Sequence, residues 1–154
     1  MLQKTALRLD PREQHYWIPS SRPALELFLR HLPPKQPSDH APVVLYVHGA
    51  TFPSALSIAY RFDGCSWRDA LAAAGFDVWG FDFHGFGESD RYPEMNEPPQ
   101  NHPPLCRAPD ATEQVEAVVR FILAQHNVEN LSVITHSWAS MPACRFAGKN
   151  PALV

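Results

Sequence analysis

The hydrophobic and polar positions of this chain form alternating blocks that predict strands followed by helices. Residues 42–47 are apolar at every position, as in a central parallel strand with both faces covered. Residues 76–82 predict a second such strand. Residues 131–135 predict a third, because they include the β-branched Val133, Ile134 and Thr135.

Helical patterns separate and follow these strands. Ser66 and Asp69 have the spacing of a capping box, and Gly75 lies where a glycine commonly ends a helix. Apolar residues recur at helical spacing over residues 110–125, and residues 139–147 suit a further helix. This alternation predicts an α/β fold with a mostly parallel sheet and helices on both faces. Between residues 91 and 109 six prolines predict a long structured loop.

The first 41 residues predict an antiparallel start to the same domain. Residues 24–30 alternate partially, with Glu26 and Arg30 at polar positions, and we predict a strand with one solvated face. Residues 5–9 are its predicted partner. We therefore divide the single domain 1–154 into N-terminal strands (1–41) and βαβ units (42–154).

Composition and charge exclude several classes of protein. The formal net charge is −3, which leaves no basic excess to pair with nucleic-acid phosphates. No apolar run approaches the ~20 residues that span a bilayer, and the first five residues lack the apolar core of a signal peptide. The three cysteines are few and widely spaced, which predicts reduced thiols and a cytoplasmic protein. We also predict that five histidines without metal-like spacing are solvated: His15, His31, His40, His102 and His126.

Three polar or glycine-containing segments follow the three predicted parallel strands. They are residues 48–51, 82–90 and 136–138. Ligands of parallel sheets bind beyond the carboxyl ends of the strands, so these segments should meet there. Ser137 lies where a strand turns into a helix, as the serine of a nucleophile elbow does, with Thr135 and Ala139 at the positions that prefer small residues. Taken alone, a serine after a strand is more often a helix cap.

These segments carry a family resemblance. The carrying residues are His48-Gly49, the segment Asp82-Phe83-His84-Gly85-Phe86-Gly87-Glu88-Ser89 and Thr135-His136-Ser137-Trp138-Ala139. With them, the chain resembles the N-terminal half of an α/β-hydrolase-fold protein. That family includes serine esterases, proline iminopeptidase-like peptidases and cofactor-free haloperoxidase-like enzymes. The resemblance extends from about residue 24 to the end, and His84 stands where the family usually has arginine.

The resemblance implies roles for particular residues. Ser137 would be the nucleophile that forms an acyl-enzyme with an ester or small amide. The backbone N–H groups of Trp138 and Ala50 would form the oxyanion hole. No cofactor and no metal are implied. A serine nucleophile argues against the dehalogenase and epoxide-hydrolase branches of the family.

The same resemblance raises an alternative. The family places its catalytic acid and then its histidine after the nucleophile, but no Asp, Glu or His follows Ser137 in this sequence. Upstream, His48 and Asp82 are better explained by structural roles at strand ends, and the ring of His136 should point away from the nucleophile. The alternative is therefore a catalytically incomplete fragment or a non-catalytic binding module. Its last strand would expose an edge and favour self-association.

Overall fold

The computed structural model describes residues 4–38 and 40–154. The prediction that the first five residues are not part of a signal peptide concerns in part residues 1–3, which lie outside these ranges. Residue 39, in the predicted N-terminal region, also lies outside them. The strands and helices are, in chain order, β1 (Gln14–Pro19), β2 (Glu26–Leu32), β3 (Val43–Val47), α1 (Trp67–Ala73), β4 (Asp77–Asp82), α2 (Ala108–His126), β5 (Ser132–Thr135) and α3 (Ser140–Lys149). Short 3₁₀ turns occupy Ser54–Leu56, Pro93–Asn96, Pro99–Asn101 and Ser137–Ala139.

The strands form one mixed sheet in the order β1-β2-β4-β3-β5. Strand β3 pairs in parallel with β4 on one side and with β5 on the other. Strands β1 and β2 extend the sheet in antiparallel fashion beyond β4. The predicted α/β fold is confirmed, and the two strands whose loops were expected to meet, β3 and β5, are direct neighbours.

Helices cover both faces of the sheet. On one face, α2 and α3 pack on a core of aromatic and branched side chains that includes Leu45, Phe81, Val115, Val119, Ile122 and Phe146. On the other face, a smaller core beneath α1 contains Leu32, Val44, Ile58, Ala72 and Val78. Strand β3 is buried at every position because it contributes to both cores. No helix in the described ranges has the length and hydropathy needed to cross a bilayer.

The predicted helices are present, and their ends lie within two residues of the predicted ones. Ser66 accepts a hydrogen bond from the Asp69 backbone, and the Asp69 carboxylate accepts one from the Ser66 N–H, so the capping box is complete. Gly75 follows the end of α1 with a φ of +95°. Helix α2 begins at Ala108, two residues before the start predicted from its apolar period.

The predicted N-terminal strand pair is partly wrong. Residues 5–9 form no strand, and the antiparallel partner of β2 is instead β1, with Trp17 opposite Phe28. The His15 and Phe28 rings pack edge to face at 5.0 Å between centroids. Tertiary pairing of aromatic residues therefore decides which N-terminal segment joins the sheet, and it outweighs the weak alternation of residues 5–9.

The predicted solvated face of β2 is also wrong. Arg30 is buried, with 2% of its side chain exposed, and it forms an ion pair with the fully buried Glu13. Arg68 approaches the other oxygen of Glu13 at 3.1 Å. Burial alone would raise the pKa of Glu13, but the Arg30 and Arg68 guanidiniums outweigh it and lower that pKa. A polar position in the sequence is thus a paired internal charge, because Glu13 and Ser54 bind the Arg30 guanidinium on this face of β2.

Candidate active site

Ser137 occupies a sharp turn between β5 and α3. Its backbone φ is +56°, in the left-handed region that non-glycine residues seldom adopt. The side chain is exposed, whereas Ala139, two residues later, is fully buried. A serine in this conformation presents its hydroxyl away from both the strand and the helix, as a nucleophile elbow does.

Hydrogen bonds hold the turn in place. The Ala139 N–H donates to the His136 carbonyl at 3.2 Å, and the Ser140 hydroxyl donates to the Ser137 carbonyl at 2.8 Å. The His136 N–H donates to the Val47 carbonyl at 3.1 Å, which continues the β3–β5 pairing up to the turn. A left-handed non-glycine residue costs on the order of 1–3 kcal/mol, so this conformation persists because its surroundings enforce it.

The loop after β3 lies directly against this turn. A Cβ atom placed on Gly49 would be only 3.1 Å from the Cβ of Ser137 and 3.1 Å from both Nδ1 and the carbonyl oxygen of His136. A side chain at position 49 would therefore crowd the elbow. Gly49 thus lets the β3 loop approach Ser137 closely, and Ala50 is the next residue of that loop.

The backbone N–H groups of Ala50 and Trp138, the residues predicted to form the oxyanion hole, have no acceptor within the described part of the chain, and neither have those of Thr51 and Ser137. Trp138 is only partly buried, and its indole packs edge to face on Phe83 with 5.4 Å between the centroids. The ring therefore has a packing role, while its backbone N–H is free for a ligand.

His48 is a structural residue in this arrangement. Its ring is buried, its Nδ1 lies 2.6 Å from the Gly49 carbonyl, and its Nε2 accepts a hydrogen bond of 3.0 Å from the Phe83 N–H. Burial lowers the pKa of His48, although the Gly49 carbonyl and the Asp82 charge act in the opposite direction. Because both ring nitrogens are occupied, His48 cannot take the proton of Ser137 without breaking a buried contact.

The loop after β4 is fixed by the Asp82 carboxylate. One of its oxygens accepts from the Ser54 N–H at 2.7 Å and the other from the Glu88 N–H at 3.1 Å. Asp82 therefore binds turn amides, as the sequence predicted, and is not positioned as a free catalytic acid. His84, in the usual arginine position, contacts the Ser20 hydroxyl at 2.9 Å through Nε2.

The three predicted segments meet at one edge of the sheet. Gly49 touches the elbow, His48 binds the backbone of Phe83, and Phe83 packs on Trp138. A cleft of about 1250 Å³ lies elsewhere, beside β1 and the start of β2, and its lining does not include Ser137.

The sequence did not predict a cluster of titratable residues that lies away from the elbow and consists of His31, Asp77 and His126. The prediction that five histidines are solvated is wrong for His31 and His15, whose side chains are 8% and 7% exposed, and only partly right for His126, which is half-buried. His31 and His126 contact Asp77, His15 bonds to Glu13, and among the five only His40 is exposed. No local spacing could have revealed this cluster, because its members come from three separate elements.

A family model described as "alpha/beta hydrolase fold" matches residues 42–154. A search of curated proteins finds no match. Solved structures with the same fold include the thioesterase domain from the curacin biosynthetic pathway, with a TM-score of 0.64 and 18% identity over 92% of this chain and 42% of that one. They also include an epoxide hydrolase from an endophytic Streptomyces (TM-score 0.64, 22% identity, 94% of this chain and 35% of that one).

A third similar structure is a loop variant of a haloalkane dehalogenase from Bradyrhizobium elkanii. It has a TM-score of 0.62 and 17% identity over 92% of this chain and 38% of that one. At these identities the likeness shows the fold alone. The chain spans between 35% and 42% of the length of these three structures.

Proposed function

The chain belongs to the alpha/beta hydrolase fold family, and we propose on this premise that Ser137 is the nucleophile of a serine hydrolase. The substrate would be a small-molecule ester or amide. The Ala50 and Trp138 N–H groups would stabilise the oxyanion. The proposal rests chiefly on one observation: Ser137 is an exposed serine with a φ of +56° between a strand and a helix.

The chemistry assigned to these residues is acyl transfer. Ser137 Oγ would attack the carbonyl carbon, and its proton would pass to a base and then to the departing alcohol or amine. Water would afterwards cleave the acyl-serine and release the acid. The developing negative charge on the carbonyl oxygen would lie between the two backbone donors, where losing one donor typically costs about 3 kcal/mol of transition-state stabilisation.

A second candidate is that these 154 residues lack hydrolase activity by themselves. Its support is the absence of any Asp, Glu or His after Ser137, together with the complete occupation of the His48 ring by structural contacts. A serine hydroxyl is a poor nucleophile without a base. Under this alternative the elbow and its donors are present, but no residue of the 154 accepts the proton of Ser137.

Fluorophosphonate labelling of the 154-residue chain distinguishes the two candidates. Rapid labelling that is lost in Ser137→Ala and retained in Ser132→Ala would show that a working base is present. Labelling near the background of Ser137→Ala would support the incomplete site. Ser132 is the control because it is an exposed serine of β5, outside the turn that carries Ser137.

A cysteine in place of the serine tests the elbow without needing a base, because thiols ionise readily near neutral pH. We expect Ser137→Cys to be acylated by an activated ester about 100-fold faster than Ser140→Cys, the effect of a typical oxyanion-hole donor. Cys65 lies in a different tryptic peptide, whereas Cys144 shares the peptide 121–145 with these sites and is distinguished from them by fragmentation of that peptide in the mass spectrometer. Equal rates at the two positions would overturn the assignment of Ala50 and Trp138.

A location in the cytoplasm stays a prediction that rests on cysteine usage. Cys65, Cys106 and Cys144 are all free thiols in the structure. The absence of nucleic-acid partners likewise stays a prediction from the net charge of −3. Fractionation of the native host cells, followed by detection of the protein, would test the location.

A further inference from the structure

At the end of the sheet opposite the elbow, two histidines converge on one carboxylate. Asp77 Oδ1 lies 2.8 Å from His31 Nε2 and 3.3 Å from His126 Nε2. All three atoms lie within 4.8 Å of one another. His31 comes from β2, Asp77 is the first residue of β4, and His126 is the last residue of α2.

We propose that His31, Asp77 and His126 form a binding site for a divalent transition-metal ion, with Zn²⁺ as the best-suited ion. Two imidazole nitrogens and one carboxylate oxygen are a ligand set that zinc uses with a fourth position left for water. Imidazole also binds copper and nickel, whereas calcium and magnesium prefer sites built from oxygen alone. The ligand set therefore selects against the latter two.

The state of His31 provides an independent sign of a missing ligand. The side chain is 8% exposed, yet neither ring nitrogen makes a hydrogen bond within the described residues. Nε2 lies only 2.8 Å from Asp77 Oδ1, but the geometry of that contact is not that of a hydrogen bond. Buried polar groups nearly always have a hydrogen-bonding partner. An imidazole without one beside a carboxylate therefore indicates a missing ligand. A metal ion between the two groups would satisfy both.

His126 presents a nitrogen in the form that a metal requires. Its Nε2 accepts a hydrogen bond of 3.0 Å from the indole Nε1 of Trp79, so it carries a lone pair and no proton. The same indole N–H also donates to Asp77 at 2.8 Å. A bound ion would replace the Trp79 indole as the partner of His126. The indole would keep its hydrogen bond to Asp77 and would orient the carboxylate, as outer-shell donors do.

Solvent can reach the cluster through His126, whose side chain is 23% exposed. A bound ion would join the ends of β2, β4 and α2, three elements that are distant in sequence. The proposed serine chemistry takes place beyond the opposite ends of the parallel strands. The metal site is therefore independent of the proposed function and can be tested separately.

Calorimetric titration of the chelator-treated chain with ZnCl₂ tests the proposal. We expect one ion per chain, with affinity reduced about 100-fold in His126→Gln, since even outer-shell changes cost 10–100-fold. Asp77→Asn should weaken binding similarly, and His40→Gln, a change at an exposed histidine outside the cluster, should leave it unaltered. Circular dichroism of each variant before titration identifies any that does not fold; His126 is half-exposed, so His126→Gln is the variant best able to keep the fold.

Cobalt substitution gives a second readout that depends on ligand geometry. Co²⁺ bound by this set in four-coordinate fashion should show intense visible absorption, which His126→Gln abolishes. Zinc should also raise the melting temperature of the parent chain and of His40→Gln, but not that of His126→Gln. Absence of binding by the folded parent chain, or equal affinity in His126→Gln, would overturn the proposal.

Discussion

The left-handed backbone at Ser137 differs in its setting from those at Asn127 and Asp63. Asn127, with a φ of +51°, terminates α2, where such a residue is a common helix ending. Asp63, with a φ of +50°, lies in an exposed turn. Ser137 instead joins a strand to a helix and touches a second loop through Gly49. Strain at such a junction is characteristic of functional sites rather than of ordinary connections.

Gly87 is the glycine whose replacement should be most destabilising. A Cβ atom there would lie 2.0 Å from an oxygen of Asp82, the carboxylate that fixes the β4 loop, and its φ is +47°. We expect Gly87→Ala to reduce the free energy of unfolding by about 3 kcal/mol or more, because strain and loss of a buried network combine. Urea denaturation followed by circular dichroism measures this.

Gly64→Ala is the matched control for that substitution. Gly64 also has a positive φ, +83°, but no atom lies within 4 Å of the position of its Cβ. It should therefore lose only about 1 kcal/mol, the cost of a left-handed conformation without a clash. Similar losses in both variants would show that the Asp82 contact does not decide the effect.

The residues that sequence alone identified are those whose roles follow from position next to a strand end. Ser137, His48 and Asp82 each directly follow or end a predicted strand, so topology places them at one edge. Arg30 and His31 could not be interpreted in this way. Whether a polar residue on a strand is solvated or paired depends on Glu13 and Asp77, which approach only in the folded chain.

Among the elements, β5 is one of the two edge strands of the sheet within the described residues, and β1 is the other. Strand β5 pairs with β3 alone, and three of its four residues are only half-buried. Unpaired backbone groups on an apolar edge favour pairing with another chain. This agrees with the self-association predicted from the sequence, which remains to be measured.

A charge on this edge should weaken such association. We expect Ser132→Lys, at an exposed position of β5, to shift the 154-residue chain toward monomer in sedimentation-velocity experiments without lowering its melting temperature. Gln125→Lys places the same charge on an exposed residue of α2 and should leave association unchanged. A parent chain that is monomeric at high concentration would contradict the expectation.

Element prediction was most accurate where the pattern was strong. Strand β3, helix α1 with its capping box, and helix α2 are all recognisable from apolar period or cap residues. Strand β1 was missed because its sequence mixes Gln14, His15 and Pro19 with aromatic residues and shows no clear alternation. Its place in the sheet depends on cross-strand packing against β2, which no local pattern records.

At the scale of the whole molecule, buried histidines should make stability depend on pH. Burial lowers the pKa of both His48 and His84 from the usual 6.5. Unfolding releases them to titrate normally, so below pH 6.5 the unfolded chain binds more protons and the folded state loses stability. Each contributes up to about 1.4 kcal/mol per pH unit within its window, from 6.5 down to its folded pKa.

Urea unfolding at pH 7.5, 6.5 and 5.5 measures this loss. His84→Asn should reduce the change in the free energy of unfolding with pH, whereas His40→Gln should leave that change unaltered. Carboxylates affect stability at lower pH. Burial acts to raise the pKa of Asp69, but the ion pair with Arg61 outweighs it and lowers that pKa to about 2. The stability that the Asp69 carboxylate contributes is therefore lost only as the pH falls below about 4. A free energy of unfolding that stays constant between pH 7.5 and 5.5 would contradict the histidine argument.

The strand order also has a consequence for synthesis on the ribosome. Strands β1 to β4 form a contiguous block in the order β1-β2-β4-β3, and β5 attaches only to its outer side. All four strands of that block precede β5 in the chain. The emerging polypeptide can therefore complete a four-stranded platform before residue 137 leaves the exit tunnel. The strained turn that carries the Ser137 hydroxyl is then added after these four strands, onto a surface already assembled to receive it.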